Sequence, residues 1–368
     1  MSTGYTPIYR IYRNGVDITG HFNDRTTQIN VELTAGGGEG DRCEIIVDDR
    51  DWAIARPYPG ETIQIWLGYE EIGLAYMGTY NIDDVIFMGM PRSIQLTGTS
   101  TGFKSIQKAP QIANFANKSV GDILGEMAGQ TGLGVAISGD LAGKTIPFKN
   151  QVVSNLHMIH ELERMYGAVA KIADGKLMFV PRDSTESASG VSLPTIVLQP
   201  EHFGTWKVRY SDRFSASEVK AAYWDKDEHI RKWVSSALPG GEGDPFSLGQ
   251  LFNSQAEAEA AAGAKASAMK RAECDATFDL AKGDPWIRDQ QTILVTRMRD
   301  GINGSYVVDK ATHTYIKSSG IRTNLQCRAP GDGADYSDRA DDEFLKPWPG
   351  EPTGGVLPGA PGSGNAAP

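Results

Sequence analysis

The chain has 368 residues, a net charge of −10, 40% hydrophobic residues and 22% charged ones. That length suits two or three domains with sizeable cores, and the acidic balance argues against a general nucleic-acid binder, which would carry a basic face. No run of about 18 apolar residues is present, so no membrane span is expected, and residues 1–15 lack a basic-then-apolar secretion signal, so the chain is expected in the cytoplasm until assembly.

The N-terminal third alternates at period two, which puts one strand face in a core and the other in water. Ile8–Arg13 and Val16–Thr19 flank Asn14-Gly15, a hairpin signal because both turn residues must take positive φ. Ile29, Val31 and Leu33, then Cys43, Ile45 and Val47, define two strands around the glycine-rich run Ala35–Gly40. Thr62–Tyr69, Ala75–Met88 and Arg92–Thr99 complete a set dense enough for a small barrel or sandwich over residues 1–108.

The period changes near Ala109. Ser119 is a good N-cap with Asp122 three residues on, and Val120, Ile123, Leu124, Met127 and Ala128 follow at helical spacing. A second helix is predicted over Asn155–Tyr166, capped by Ser154 and stopped by Gly167. A hairpin through Asp174-Gly175 closes a small α+β domain, residues 109–183, and residues 184–194 read as a connector.

Strands resume at Thr195–Leu198, Thr205–Tyr210 and Glu218–Trp224. Leu238–Gly249 reads as a loop. Ser254–Glu257 is a capping box that opens an alanine-rich helix near 254–272. Cys274–Leu280, Thr292–Met298, Ser305–Ile316 and Arg322–Arg328 complete a second barrel, 195–330, interrupted by that helix. Residues 331–368 are rich in Gly, Pro and acids and are expected as a flexible tail.

Gly78-Thr79-Tyr80-Asn81-Ile82-Asp83 is echoed by Gly304-Ser305-Tyr306-Val307-Val308-Asp309. Each follows a strand and a glycine turn and precedes a strand opening with Arg-Ser or Arg-Thr. The echo predicts two related barrels in one chain.

Little in the sequence looks catalytic. His157, His160 and Glu161 form the best metal candidate, two histidines sharing one helix face, but the spacing matches no zinc hydrolase motif and no third ligand is evident. The Gly36–Gly40 run lacks a Walker lysine and a following helix. Asp48, Asp49, Asp51, Asp83 and Asp84 could ligate calcium but sit at strand ends, where solvated turn charges are commoner. Trp206, Tyr223, Trp224 and Trp233 read as interface or packing residues. Cys43, Cys274 and Cys327 lie on apparent strands and are expected as buried free thiols, with an intermolecular disulfide left open. No catalytic, cofactor or metal residue is therefore assigned, and no enzyme activity is expected.

The stretch GEGDRCEIIVDDRDW, followed by PGETIQIWLGY and MGTYNIDDVIFMGMPRSIQLTGTST, resembles the opening of the phage late control protein D family. Asp41, Asp48, Asp49, Asp51 and Gly78–Asp83 carry the match, with support from SNLHMIHELERMYGAVAKIADGKLMFVPR and QAEAEAAAGAKASAMKRAECDATFDL. The order spans roughly residues 5 to 330.

The resemblance implies a mainly β, tail-hub/VgrG-like fold with two related small β-barrels and a small α+β domain. It implies a structural baseplate hub of a contractile phage tail: a homotrimer whose pseudo-sixfold ring joins the hexameric tail tube to a trimeric spike. Expected partners are the spike protein, the tail tube or its initiator ring, baseplate wedge proteins and the tape-measure protein. Specific nucleic-acid binding is not expected, and the location is the virion tail. The alternatives are the hub of a phage-derived injection device, of type VI secretion or pyocin kind, a cell-wall-directed tail enzyme, and a surface-binding β module.

Overall fold

A computed structural model describes residues 5–22, 25–36, 40–100, 102, 110–182, 184, 193–211, 216–239, 241, 243–299 and 301–329. The tail expected over 331–368 lies outside the described residues, as does most of the connector.

The chain opens with β1 (Pro7–Arg13), β2 (Val16–Asp17), a one-turn helix α1 (Thr19–Phe22), β3 (Thr26–Thr34), β4 (Arg42–Asp48), β5 (Thr62–Tyr69), β6 (Gly73–Met88) and β7 (Ser93–Ser100). Asn14 and Gly15 take the predicted positive φ between β1 and β2. The α+β block holds β8 (Ala113–Ser119), α2 (Val120–Gly129), β9 (Gly134–Ile137), α3 (Gly139–Ala142), β10 (Thr145–Gln151), α4 (Asn155–Tyr166), β11 (Ala168–Ala173) and β12 (Lys176–Pro181). The remainder is β13 (Ile196–Leu198), β14 (Phe203–Tyr210), β15 (Glu218–Asp225), β16 (Ile230–Ala237), β17 (Phe246–Phe252), α5 (Gln255–Arg271), β18 (Cys274–Leu280), β19 (Thr292–Val295), β20 (Gly304–Ile316) and β21 (Gly320–Arg328).

The echo seen in sequence is a duplicated sheet. Strand order β3-β4-β7-β6-β5-β1 is repeated as β14-β18-β21-β20-β19-β13. The only change of direction is at the end, where β1 runs antiparallel to β5 but β13 runs parallel to β19. Two irregularities repeat with the strands. Register shifts fall between Thr26 and Gln28 on β3 and between Phe203 and Thr205 on β14. They fall between Ile82 and Asp84 on β6 and between Val308 and Lys310 on β20. Gly78 and Gly304 have φ of 137° and 136°, a conformation that side chains rarely adopt, so both repeats need glycine there. Tyr80 and Tyr306, two residues on, are buried and donate to the carbonyls of Met77 and Ile302.

The two repeats are not independent. Strand β3 also pairs antiparallel with β20, Gln28–Thr34 against Lys310–Ile316, so both repeats belong to one 13-stranded sheet. A single core runs through them and includes Ile29, Val31, Ile65, Phe278, Val308 and Leu325. The pleat dictates this, because every second side chain of each strand faces inward.

Two smaller units pack beside the sheet. Strands β8–β10 and β9–β12–β11 surround a core that includes Val120, Ile123, Leu124 and Leu162. Ser119 caps α2 with a full capping box, and Ser154 caps α4, which ends at Gly167 in the left-handed region. The interruption of the second repeat is larger than the predicted helix. β15, β16 and β17 form a separate sheet covered by α5 through Ala258, Ala262 and Met269. The strand expected at Glu218–Trp224 therefore forms, but outside the second repeat. The loop expected over Leu238–Gly249 ends early, because Phe246–Phe252 pairs parallel with β15. Ser254 accepts from the Glu257 amide, while the Glu257 carboxylate accepts from the Asn253 amide, one residue upstream of the capping-box position.

Candidate functional site

The candidate chemical residues are dispersed. His157 Nε2 lies 3.4 Å from Glu161, and His160 Nδ1 lies 2.5 Å from Glu163. Each ring is thus engaged by a carboxylate on its own helix, and among the described residues no three His, Cys, Asp or Glu side chains gather as a metal site. Of the strand-end acids, Asp51 binds Arg25 through both carboxylate oxygens, at 2.5 and 2.6 Å, and that contact holds its carboxyl well below the usual range. Asp48 accepts from the Arg50 amide, Asp49 accepts from the Ile54 amide, and Asp84 is exposed. These are turn and surface roles. Gly36 and Gly40 flank residues outside the described set, and the next element is β4, a strand that offers no helix N-terminus to an anion. All three cysteines are free and buried, and burial pushes the Cys43 and Cys327 thiols up. No helix among the described residues is long and apolar enough to cross a membrane.

Two places concentrate interactions. The first is a buried junction where three parts of the chain meet. Lys171 Nζ, on β11, lies 3.0 Å from Asp41 and 2.7 Å from Asp289. Asp41 leads into β4 of the first repeat, and Asp289 precedes β19 of the second. Asp41 also accepts from the Thr34 amide at 2.9 Å. Burial raises the Asp41 carboxyl to about 6 even beside Lys171, and a buried ion pair gains little net stability once desolvation is counted. Burial also works against the Lys171 ammonium, but the two carboxylates outweigh it and its pKa is raised. Around this ion pair, Ser100 Oγ donates to the Ile172 carbonyl at 2.7 Å, Tyr76 donates to Asp174 at 2.7 Å, and Arg288 donates to the Tyr76 carbonyl. A cavity of about 260 Å³ opens beside the junction. Its polar groups already hold one another, so the arrangement fixes the α+β block to the sheet. Sequence reading noted Asp41 but not its partners. The available signal was Lys171, alone among the apolar residues of Ala168–Ile172.

The second place is a pair of open strand edges. Strand β14 pairs with β18 on one side only, and the second half of β6 pairs with β7 on one side only, among the described residues. Trp206 on β14, Ile86, Phe87 and Met88 at the end of β6 and Met90 in the turn after it are exposed large hydrophobics. Trp224 and Trp233 are exposed too, Trp233 with the Arg231 guanidinium 4.2 Å from its ring centre, while Tyr223 is buried in the core under α5. Exposed aromatics on open edges are features of an assembling surface.

No protein-family model matches the chain. It is 23% identical over 382 residues to a probable baseplate hub protein of Escherichia phage 186, covering 93% of this chain and 97% of the relative. It is 24% identical over 378 residues to a probable baseplate hub protein of Escherichia phage P2, covering 92% and 97%. Among solved structures, the 43 kDa tail protein of prophage MuSo2 from Shewanella oneidensis superposes with a TM-score of 0.66 at 13% identity, over 90% of this chain and 100% of that one. An Escherichia coli type VI secretion component, described as structurally similar to the T4 tail proteins gp27 and gp5, gives 0.55 at 9% identity, over 88% and 78%. The chain is thus a homologue of the probable baseplate hub proteins of phages 186 and P2, with the fold of phage tail proteins and of the type VI secretion component.

Proposed function

We propose that the protein is the structural baseplate hub of a contractile phage tail. Three copies form a ring in the virion, and the ring joins the tail tube to a trimeric spike. The observation that carries this reading is the duplicated sheet. Two matched repeats per chain let a threefold ring offer six near-equivalent faces to a hexameric tube while its other side keeps threefold symmetry. The division into a first barrel, an α+β domain, a connector, a second barrel and a tail follows the same logic: the repeats build the ring and the other parts decorate it. The role is mechanical rather than enzymatic, in keeping with the hub relatives. Phage relatives over almost the whole chain favour a phage tail above a type VI or pyocin-like device.

The test is co-purification of the tagged protein with the spike and tube proteins of its own particle. The expected result is a stable hub–spike complex containing three copies of the 39.8 kDa chain. A chain that never enters a complex with spike or tube, in lysates where tails assemble, would falsify the reading.

A further inference from the structure

A groove of about 1470 Å³ lies where the α+β block, the sheet covered by α5 and the second repeat meet. It exceeds the roughly 300–1,000 Å³ typical of small-molecule pockets, so it suits a length of chain better than a small ligand. Arg164 comes from α4, Lys265 from α5, Phe246 and Leu248 from β17, and Lys310 and Arg328 from β20 and β21.

The groove is basic on an acidic chain. Seven lysine and arginine side chains line it against four carboxylates, a surplus of three, whereas the whole chain carries −10. Arg164 and Lys265 have no carboxylate partner among the described residues. Arg164 Nε donates to the His160 carbonyl of its own helix at 3.3 Å, and Lys265 Nζ lies 5.1 Å from the ring centre of Phe246. Phe246 is itself 40% exposed. Cations beside an exposed aromatic ring suit a peptide whose carboxylates adjoin apolar side chains.

The chain itself carries such a segment. Residues 332–343 hold six carboxylates against Arg339 alone, and Phe344, Leu345 and Trp348 follow. A stretch so rich in Gly, Pro and acids cannot build a core of its own. It can bury those three side chains only against another surface. It also starts in the right place, because β21 ends at Arg328, which lines the groove, and the described residues stop at Ala329. The residues from Pro330 to Glu343 can span up to about 50 Å when extended, roughly twice the length of α5.

We infer that residues 332–348 dock in this groove of their own chain. Their carboxylates meet Arg164, Lys265 and Arg328, and Phe344, Leu345 and Trp348 lie on the side of Phe246 and Leu248. The tether singles out this occupant, since a short link holds the segment at an effective concentration of about millimolar. Once docked, it ties together the three units that wall the groove. The contact lies within one chain and goes beyond the hub reading, which neither supports it nor depends on it.

The test is zero-length carbodiimide crosslinking of the full chain, read by peptide mass spectrometry, with tryptic cleavage after Arg339 as a second readout. The expected crosslink joins Lys265 or Lys310 to a carboxylate of residues 332–343 in the same chain. Cleavage after Arg339 should be about tenfold or more slower in the native chain than in Arg164→Glu with Lys265→Glu, because proteolysis follows the population of the open form. Salt near 1 M, which shortens screening to about 3 Å, should remove the difference. Arg164 is exposed and Lys265 half-buried, so that variant should keep the circular dichroism of the native chain. Phe344→Ser with Trp348→Ser alters none of the described core and should speed the same cut, which covers a groove variant that fails to fold. No crosslink from the groove lysines to residues 332–343, or equal cleavage in the native chain and both variants, overturns the inference. Crosslinks that join only different chains, read by mixing isotope-labelled and ordinary protein, overturn it too. None of these results touches the hub reading, which co-purification with spike and tube decides.

Discussion

At the scale of single residues, two buried titratable groups bias stability in opposite directions. His313 is fully buried, and burial lowers its pKa to about 4. Its Nε2 contacts the Ile287 carbonyl, which can only accept, so the proton sits on Nε2 and Nδ1 accepts from Thr323. The unfolded chain gains a proton near pH 6.5 that folded His313 refuses until about 4, so stability from this group falls as pH drops through that window. Asp41 acts the other way. Its folded carboxyl holds a proton up to about pH 6, while the unfolded group loses it near 3.8, so stability from this group falls as pH rises between those values. Each effect is on the order of 3 kcal/mol. Asp41→Asn should therefore steepen the acid loss between pH 6 and 4, and His313→Gln should flatten it. Urea midpoints across that range check both, and parallel profiles for all three proteins would refute the assignment. The same junction predicts an asymmetry at neutral pH. Lys171→Met leaves Asp41 and Asp289 buried without their cation and should cost about 3–5 kcal/mol. Asp41→Asn leaves the 2.7 Å Lys171–Asp289 pair in place and should cost far less.

Among the elements, the duplicated sheet predicts matched responses. Tyr80→Phe and Tyr306→Phe each remove one buried hydrogen bond from equivalent tyrosines, to the carbonyl three residues back at Met77 and four back at Ile302. Each should cost about 1–3 kcal/mol, the range for leaving a buried carbonyl unpaired, and the two losses should agree within about 0.5 kcal/mol. Thermal or urea unfolding of the two variants measures this, and a loss confined to one repeat would argue against structural equivalence. Local chemistry made much of this legible in the sequence. The Asn14-Gly15 turn, the Ser119 and Ser154 caps and the Gly167 stop use signals carried within four residues, and all formed as read. The Gly78 and Gly304 echo was readable because the backbone there demands glycine and the buried Tyr follows at a fixed step. Partners were not legible. Alternation tells which face of β3 is buried, not that its edge meets β20 some 280 residues on. Strand β17 escaped because only Phe252, its last residue, is buried, so no alternation marks it. Lys171, Asp41 and Asp289 lie too far apart in sequence for any motif to join them.

For the whole molecule, the internal joint sets how stability is distributed. Tyr9 from β1 stacks edge-on against Tyr315 of β20 at 5.0 Å, Tyr69 donates to the Gly283 carbonyl at 2.7 Å, and Thr314 donates to Asn30 at 2.9 Å. Each contact ties the first repeat to the second. With one sheet and one core, neither repeat can lose its half without exposing apolar surface of the other, so the two should unfold together. Ile29→Ala, at a fully buried position on β3, should cost about 2–5 kcal/mol. It should lower the hydrogen-exchange protection of β20 and β21 as much as that of β3 and β4. The sheet of β15, β16 and β17 has its own core under α5 and can open at lower free energy, so its amides should be less affected. Hydrogen exchange read strand by strand decides this. If Ile29→Ala loosened only the first repeat, the pieces would be separate barrels resting on each other. In the proposed ring, a joint that holds the repeats as one unit would let strain applied to either repeat be carried by both.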